Sequence, residues 1–251
     1  MALYIKTQRE IEGIRRAGEI AAGALRAAGA AVKPGVTLLE LERVCVEYIR
    51  KRGGEPTFMG YRGFPGAVCL SVNDEVVHGI AGERVLVEGD IVKIDVGVTR
   101  DGLIADMART IAVGAVSAEV RSLILATEEA FCRALKQARP GHRVAHISQA
   151  IEEYVTARGY SVVRELCGHG VGIELHEEPS VPNFVARQRG VELKPGMTLA
   201  IEPMVNMGSS EVRTLPNGWT VVTADGKPSA HYENTVLITD GEPEILTRMP
   251  E

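Results

Sequence analysis

The 251-residue chain lacks most of the features that would classify it at a glance. Its four cysteines, Cys45, Cys69, Cys132 and Cys167, are widely scattered and form no C-x-x-C pair. That excludes a zinc ribbon or a disulfide framework and leaves reduced thiols, as expected of a cytoplasmic protein. No apolar run is long enough to cross a bilayer; the Ala-rich "EIAAGALRAAGAAV" is interrupted by Arg26. The start "MALYIKTQRE" has no basic segment followed by an apolar one, so no signal peptide is visible. Positive charge is not in excess: a net charge of −5 and a pI near 5.8 argue against a chain that coats nucleic acid or an anionic membrane. No nucleic-acid-binding motif is present, and the helical zinc signature H-E-x-x-H is missing. No linker rich in proline, glycine or serine divides the chain.

What the chain does contain is a near-repetition. Thr7 with Glu10 three residues on forms a capping-box pattern, and Ile11, Ile14, Gly18, Ala21, Leu25 and Ala28 follow at helical spacing as far as "VKPG". A second helix opens at Thr37, carries Leu38, Leu41, Cys45, Tyr48 and Ile49 on one side, and stops at "KRGG". About 106 residues later the arrangement returns. Ser117 caps a helix bearing Val120, Ile124, Thr127, Phe131 and Leu135 that ends at "ARPG". The next helix turns Ile147, Ile151, Tyr154 and Val155 inward and stops at "ARGY". Counted from Pro34 and Pro140, Leu41 matches Ile147, Glu47 matches Glu153, Tyr48 matches Tyr154 and Gly53 matches Gly159.

The strands extend the repeat. "VEGDIVKIDVG" and "LKPGMTLAIEPMV" share a turn glycine and an apolar run that ends in an acid, Asp95 in one and Glu202 in the other. The economical inference is an α+β fold of two pseudo-twofold-related halves, roughly 7–110 and 117–240, within one catalytic domain spanning 1–251. The halves share an antiparallel sheet flanked by helices.

Four acids stand in apolar strand contexts: Asp95 in "DIVKIDVGV", Asp106 in "LIADMARTIAV", Glu202 ending "MTLAIEP" and Glu233 in "HYENTVLIT". A carboxylate among Ile and Val is costly unless it is paired, hydrogen-bonded or metal-bound. For one such acid an ion pair at a sheet edge is the simpler explanation. For four, in halves related by a repeat, it is strained. Four carboxylates and one imidazole form a hard ligand set suited to a pair of divalent ions, about 3.5 Å apart in dinuclear sites.

"VNDEVVHGI", the pair Asp95 and Asp106, "CGHGVGIELHEEP", "LAIEPM" and "GWTVVTADGKPSAHYENT", in that order, give the chain a resemblance to type I methionine aminopeptidases. That family has the pita-bread metallopeptidase fold, and the resemblance covers nearly all of the chain. It implies that Asp95, Asp106, His169, Glu202 and Glu233 hold two divalent ions (cobalt, manganese, iron or zinc), with Asp106 and Glu233 bridging. A hydroxide between the metals would attack the first peptide carbonyl, and Glu202 would shuttle its proton to the leaving amine. His176 would polarise the scissile carbonyl and His78 would contact the amide nitrogen. Phe58, Tyr61, Phe64, Cys69, Leu175 and Trp219 would wall the methionine pocket. Leu175 stands where many members have phenylalanine, and Phe58 where some have cysteine. The resemblance also implies a monovalent cation near Asn73, Glu75 and Ser229.

The implied substrate is the N-terminal methionine of nascent polypeptides, handled in the cytoplasm, beside the ribosome, by a monomer. The start Met1-Ala2 has the small second residue the family prefers, so the chain itself fits as a substrate. The alternative is a proline-specific relative on the same fold, an Xaa-Pro aminopeptidase or a prolidase. Within "CGHGVGIELHEEPS", His169 is thus expected to bind metal and His176 substrate, while Glu177 and Glu178 serve the structure.

Overall fold

The computed structural model describes residues 3–249, so the Met1-Ala2 start lies outside the described residues. Among the described residues four α-helices form, the first three behind capping residues: α1 (Gln8–Ala31), α2 (Leu38–Lys51), α3 (Ala118–Leu135) and α4 (Val144–Thr156). Thr7 and Glu10 close a reciprocal box, the Thr7 hydroxyl accepting from Glu10 N–H at 3.3 Å and the Glu10 carboxylate from Thr7 N–H at 2.7 Å. Thr37 and Glu40 repeat it, and Ser117 caps α3. Each cap contributes about 1 kcal/mol to holding a helix start in place.

Five strands belong to the first half: β1 (Glu55–Pro56), β2 (Cys69–Val72), β3 (Glu75–Val77), β4 (Ile91–Arg100) and β5 (Leu103–Ala112). Ten follow: β6 (Ser161–Val162), β7 (Cys167–Gly170), β8 (Glu177–Pro182), β9 (Thr198–Ile201), β10 (Met204–Asn206), β11 (Val212–Thr214), β12 (Val221–Thr223), β13 (Ser229–His231), β14 (Glu233–Leu237) and β15 (Glu244–Ile245). The main sheet runs β1-β4-β5-β14-β9-β7-β8, with β2 on β4 and β15 on β14. All its pairings are antiparallel. Two small sheets, β13-β10-β6 and β11-β12-β3, stand beside it.

The hairpin β4–β5 turns on two residues, Asp101 and Gly102, both with positive φ (53° and 77°), which suits the right-handed twist of the flanking strands. Its register sets Asp106 opposite Gly97 and Asp95 opposite Ala108. The two halves meet where β14 joins β5 through two pairs, Glu233 with Ala108 and Asn234 with Met107.

Each helix pair covers its own core. Under α1 and α2, Ile14, Leu25, Leu41 and Ile49 pack on Ile94, Val96 and Met107; under α3 and α4, Leu123, Phe131, Ile147 and Ile151 pack on Leu199, Ile201 and Val236. The period-2 alternation of a strand turns the neighbouring positions to the opposite face. A third, smaller cluster lies there, built from Phe58, Phe64, Cys69, Ile104, Val171, Leu175 and Ala200. The helices thus cover one face of the sheet, and the acids occupy the other.

Candidate metal centre

Five neighbouring strands, or their ends, each deliver one polar side chain to the same place. Asp95 comes from β4, Asp106 from β5, Glu233 from the start of β14, Glu202 from just past β9 and His169 from β7. Between them the strands carry small residues. Ala108 lies directly across from both Asp95 and Glu233, and Ala200 across from His169. The polar groups therefore crowd together without a bulky neighbour to separate them. Gly168 and Gly170 let β7 approach as closely: a Cβ would lie 2.3 Å from the Ala200 carbonyl oxygen in one case and 2.4 Å from that of Glu178 in the other.

Ligating atoms of Asp106, His169 and Glu233 lie within 4.8 Å of one another. Glu202 stands beside them, one oxygen 3.5 Å from His169 Nε2 and the other 3.5 Å from His231 Nε2. The charge of Asp106 also acts on Asp95. Among the described residues, the only ion-pair partners of these carboxyls are the imidazoles of His169 and His231. Arg109 comes near but donates to the Glu233 main-chain carbonyl (2.6 Å) and to Asn234 Oδ1 (2.9 Å).

Burial and mutual repulsion act together on the acids. Burial pushes the Asp106 carboxyl up to about 7. Asp95, Glu202 and Glu233 are raised well above the usual carboxylate range, first by burial and then by the charges of their neighbours. Burial pushes His169 down to about 4, and its Nδ1 donates to the Gly170 carbonyl at 3.0 Å. The Nε2 lone pair is then left facing the acids, the arrangement found in metal-binding histidines. Asp95 Oδ1 and Asp106 Oδ1 have no hydrogen-bond partner among the described residues. Hard oxygens, one imidazole nitrogen and, among the described residues, no ion-paired Lys or Arg make a donor set that fits divalent cations.

A cavity of about 190 Å³ opens onto these groups and is lined by all six residues expected in an apolar wall: Phe58, Tyr61, Phe64, Cys69, Leu175 and Trp219. Phe64 meets Trp219 edge-on, ring centres 5.2 Å apart. His78 and His176 line the same cavity. His78 is held at φ 58°, a strained setting for a non-glycine residue. His176 stacks on Tyr61, and the Tyr61 hydroxyl lies 2.8 Å from its Nδ1. Burial pushes His176 down to about 3, so its ring is neutral. Its loop is braced from beneath by Glu177, which is fully buried, pairs with Lys6, and accepts from the N–H groups of Ile173 (2.6 Å) and Glu174 (3.0 Å).

Two residues escaped the sequence reading. His231 is 2% exposed, and neither of its ring nitrogens has a hydrogen-bond partner among the described residues. Its signal was available, since a strand's period of two puts residues 231 and 233 on one face. The other is Lys93, and it corrects the monovalent cation expected near Asn73, Glu75 and Ser229. The Lys93 ammonium donates to the carbonyls of Asn73 (2.7 Å) and Ser229 (3.1 Å), so those oxygens already hold a positive charge. The Glu75 carboxylate accepts instead from Val72 N–H at 2.6 Å. Burial pushes Lys93 down to about 7, while Glu75, Asp74 and Asp90 favour its charged form.

Comparison with known proteins gives a consistent result. Residues 12–240 match the model of metallopeptidase family M24. A methionine aminopeptidase of Clostridium perfringens is 51% identical over 245 residues, which cover 98% of each chain. The crystal structure of a methionine aminopeptidase from Thermotoga maritima superposes with a TM-score of 0.96 at 44% identity, covering 98% of this chain and 99% of that one. The prolidase of Pyrococcus furiosus has a TM-score of 0.81 at 28% identity, and only 66% of its chain is covered.

Proposed function

Because the chain belongs to metallopeptidase family M24, we propose that it removes N-terminal methionine from peptides and nascent proteins, preferring a small second residue. The observation that carries this reading is the shared cavity: an apolar wall and four acids without counter-charge face the same space of about 190 Å³. Two divalent ions (cobalt, manganese, iron or zinc) held by Asp95, Asp106, His169, Glu202 and Glu233 would bring the pKa of water into the neutral range and polarise the peptide carbonyl.

The chain's own residues do the rest. Phe58, Tyr61, Phe64, Cys69, Leu175 and Trp219 seat the methionine side chain, whose thioether favours an apolar, aromatic wall, and they exclude bulk water from the reacting end. The Tyr61 hydroxyl is placed to donate to His176 Nδ1. A neutral ring whose Nδ1 accepts from the Tyr61 hydroxyl carries its proton on Nε2 and can donate it to the scissile carbonyl. His78 contacts the amide nitrogen of the bond being cut. Glu202 takes a proton from the attacking water and delivers it to the leaving amine. Both halves act as one catalytic domain, working as a monomer in the cytoplasm, where ribosomes present new N-termini. Among the described residues no helix is long and apolar enough to cross a membrane.

Hydrolysis of Met-Ala-Ser compared with Gly-Pro and Xaa-Pro peptides tests the assignment. Methionyl peptides should be cleaved and proline peptides left intact. Faster turnover of the proline substrates would assign the chain to the prolidase branch.

A further inference from the structure

Lys93 lies in the middle of β4, paired with Ser71 on β2 and Thr110 on β5, and is 1% exposed. A lysine enclosed in a protein is normally paired with a carboxylate. Here both acceptors are main-chain carbonyls, those of Asn73 and Ser229.

Those carbonyls come from different parts of the fold. Asn73 turns the chain from β2 into β3 with φ 53°, its side chain bridging Asp90 (2.8 Å) and the N–H of Ile91 (3.0 Å). Ser229 opens β13 and donates its own N–H to the Asn73 carbonyl at 3.1 Å, while its hydroxyl bonds Asn206 Oδ1 at 2.8 Å. Five residues after Asn73 the chain reaches His78, and four after Ser229 it reaches Glu233. One charge therefore joins the central strand, the turn that leads to one cavity histidine, and the strand that leads to one of the acids.

We propose that Lys93 is a tethered monovalent cation. Its ammonium takes the place of a dissolved potassium or sodium ion among main-chain oxygens, and it positions His78 and Glu233 without help from salt. Backbone carbonyls are the oxygens with which proteins replace the hydration shell of potassium. A lysine ammonium is a compact point charge with three donors that the same oxygens satisfy. A free ion must be captured from solution and stripped of water at each binding event, whereas a side chain is present at a very high effective concentration.

Thermal unfolding of the full chain as purified, at pH 6, where the Lys93 ammonium is charged, tests this in potassium chloride, sodium chloride and tetramethylammonium chloride of equal ionic strength. The unaltered protein should melt at the same temperature in all three salts. Lys93→Ser, which frees the oxygens, should melt lower in tetramethylammonium and recover by about 4 °C or more in potassium or sodium. Lys93→Met, which fills the space without charge, should melt low in every salt. Turnover of Met-Ala-Ser by Lys93→Ser should rise several-fold with potassium, while that of the unaltered protein should not.

The proposal is overturned if Lys93→Ser shows no preference among the salts, if Lys93→Met is as stable as the unaltered protein, or if the unaltered protein itself gains from potassium. Should Lys93→Ser fold only in potassium or sodium, the proposal stands; refolding in none of the salts counts against it. The melting readout uses no substrate, so its failure and that of the proposed peptidase activity are separable.

Discussion

Glu202 stands between two imidazoles, one on each carboxyl oxygen at 3.5 Å. Burial pushes both rings far below the range in which they would be charged, His169 to about 4 and His231 to about 3. Neutral rings cannot offset the charge of the acids, which leaves that compensation to a bound cation. Asp106→Asn should then lose both metal stoichiometry and activity, as read by metal analysis after reconstitution; retained binding of two ions would refute a bridging role. His176→Ala should fold and bind metal normally while kcat drops on the order of 10²- to 10³-fold, the usual loss for a pre-placed donor at a developing oxyanion. Near-normal kcat would remove His176 from the chemistry. At this scale the acids were legible because a carboxylate among Ile and Val demands an explanation. Lys93 sits in the same strand run, "DIVKIDVGV", and its burial was not legible: a lysine in an amphipathic strand ordinarily faces water, and its acceptors lie 20 and 136 residues away.

Strands and helices set the shape of the cavity through contacts that no motif records. Gly97 on β4 is one example. A Cβ there would lie 2.5 Å from the Phe58 ring, and Phe58 is part of the cavity wall. Gly97→Ala should push that ring into the space for the methionine side chain. KM for Met-Ala-Ser should rise roughly ten-fold, about 1.4 kcal/mol of lost binding, with metal stoichiometry unchanged. Steady-state kinetics with parallel metal analysis checks this, and an unaltered KM would show that the wall yields freely. The four helices were readable from their apolar stripes, three of them also from their capping residues. The three-residue strands β3, β11 and β12 were not, because segments so short show no alternation to detect. Yet they frame His78 and Trp219, and the Thr220 hydroxyl next to β12 donates to the His78 carbonyl at 3.3 Å.

Across the whole molecule, the acids make stability depend on pH and metal together. Asp95, Asp106, Glu202 and Glu233 have folded pKa values above their unfolded ones. The native chain thus keeps protons that the unfolded chain has already released, and stability falls as pH rises towards the folded values. His169, His176 and His231 act in the opposite direction, but only below about pH 6.5, where unfolded imidazoles are protonated. Above neutrality Lys93 also opposes the trend, as one group against four. Metal-free protein should therefore melt lower at pH 8 than at pH 6.5. The rise in Tm on adding a divalent ion should be larger at pH 8, because the ion replaces protons that must otherwise be lost. Scanning calorimetry at both values, with and without metal, reads the two effects, and a metal-induced rise that shrinks at pH 8 would contradict them. The repeat was legible from matching helices and turn glycines. The sheet order was not, since the pairing of β5 with β14 joins segments more than a hundred residues apart.

That pairing divides the cavity's essential groups between two parts of one polypeptide. Asp95 and Asp106 precede the connection at residues 113–117, and His169, Glu202 and Glu233 follow it. Each part carries its own helix pair, and neither contains enough donors to assemble the centre. Opened at Gly114, in the turn between β5 and α3, the chain would become two inert fragments whose reunion completes sheet and cavity in the same event. With Asp95 and Asp106 in one fragment and His169, Glu202 and Glu233 in the other, turnover of Met-Ala-Ser should require both, as assays of each fragment alone and of the mixture would read.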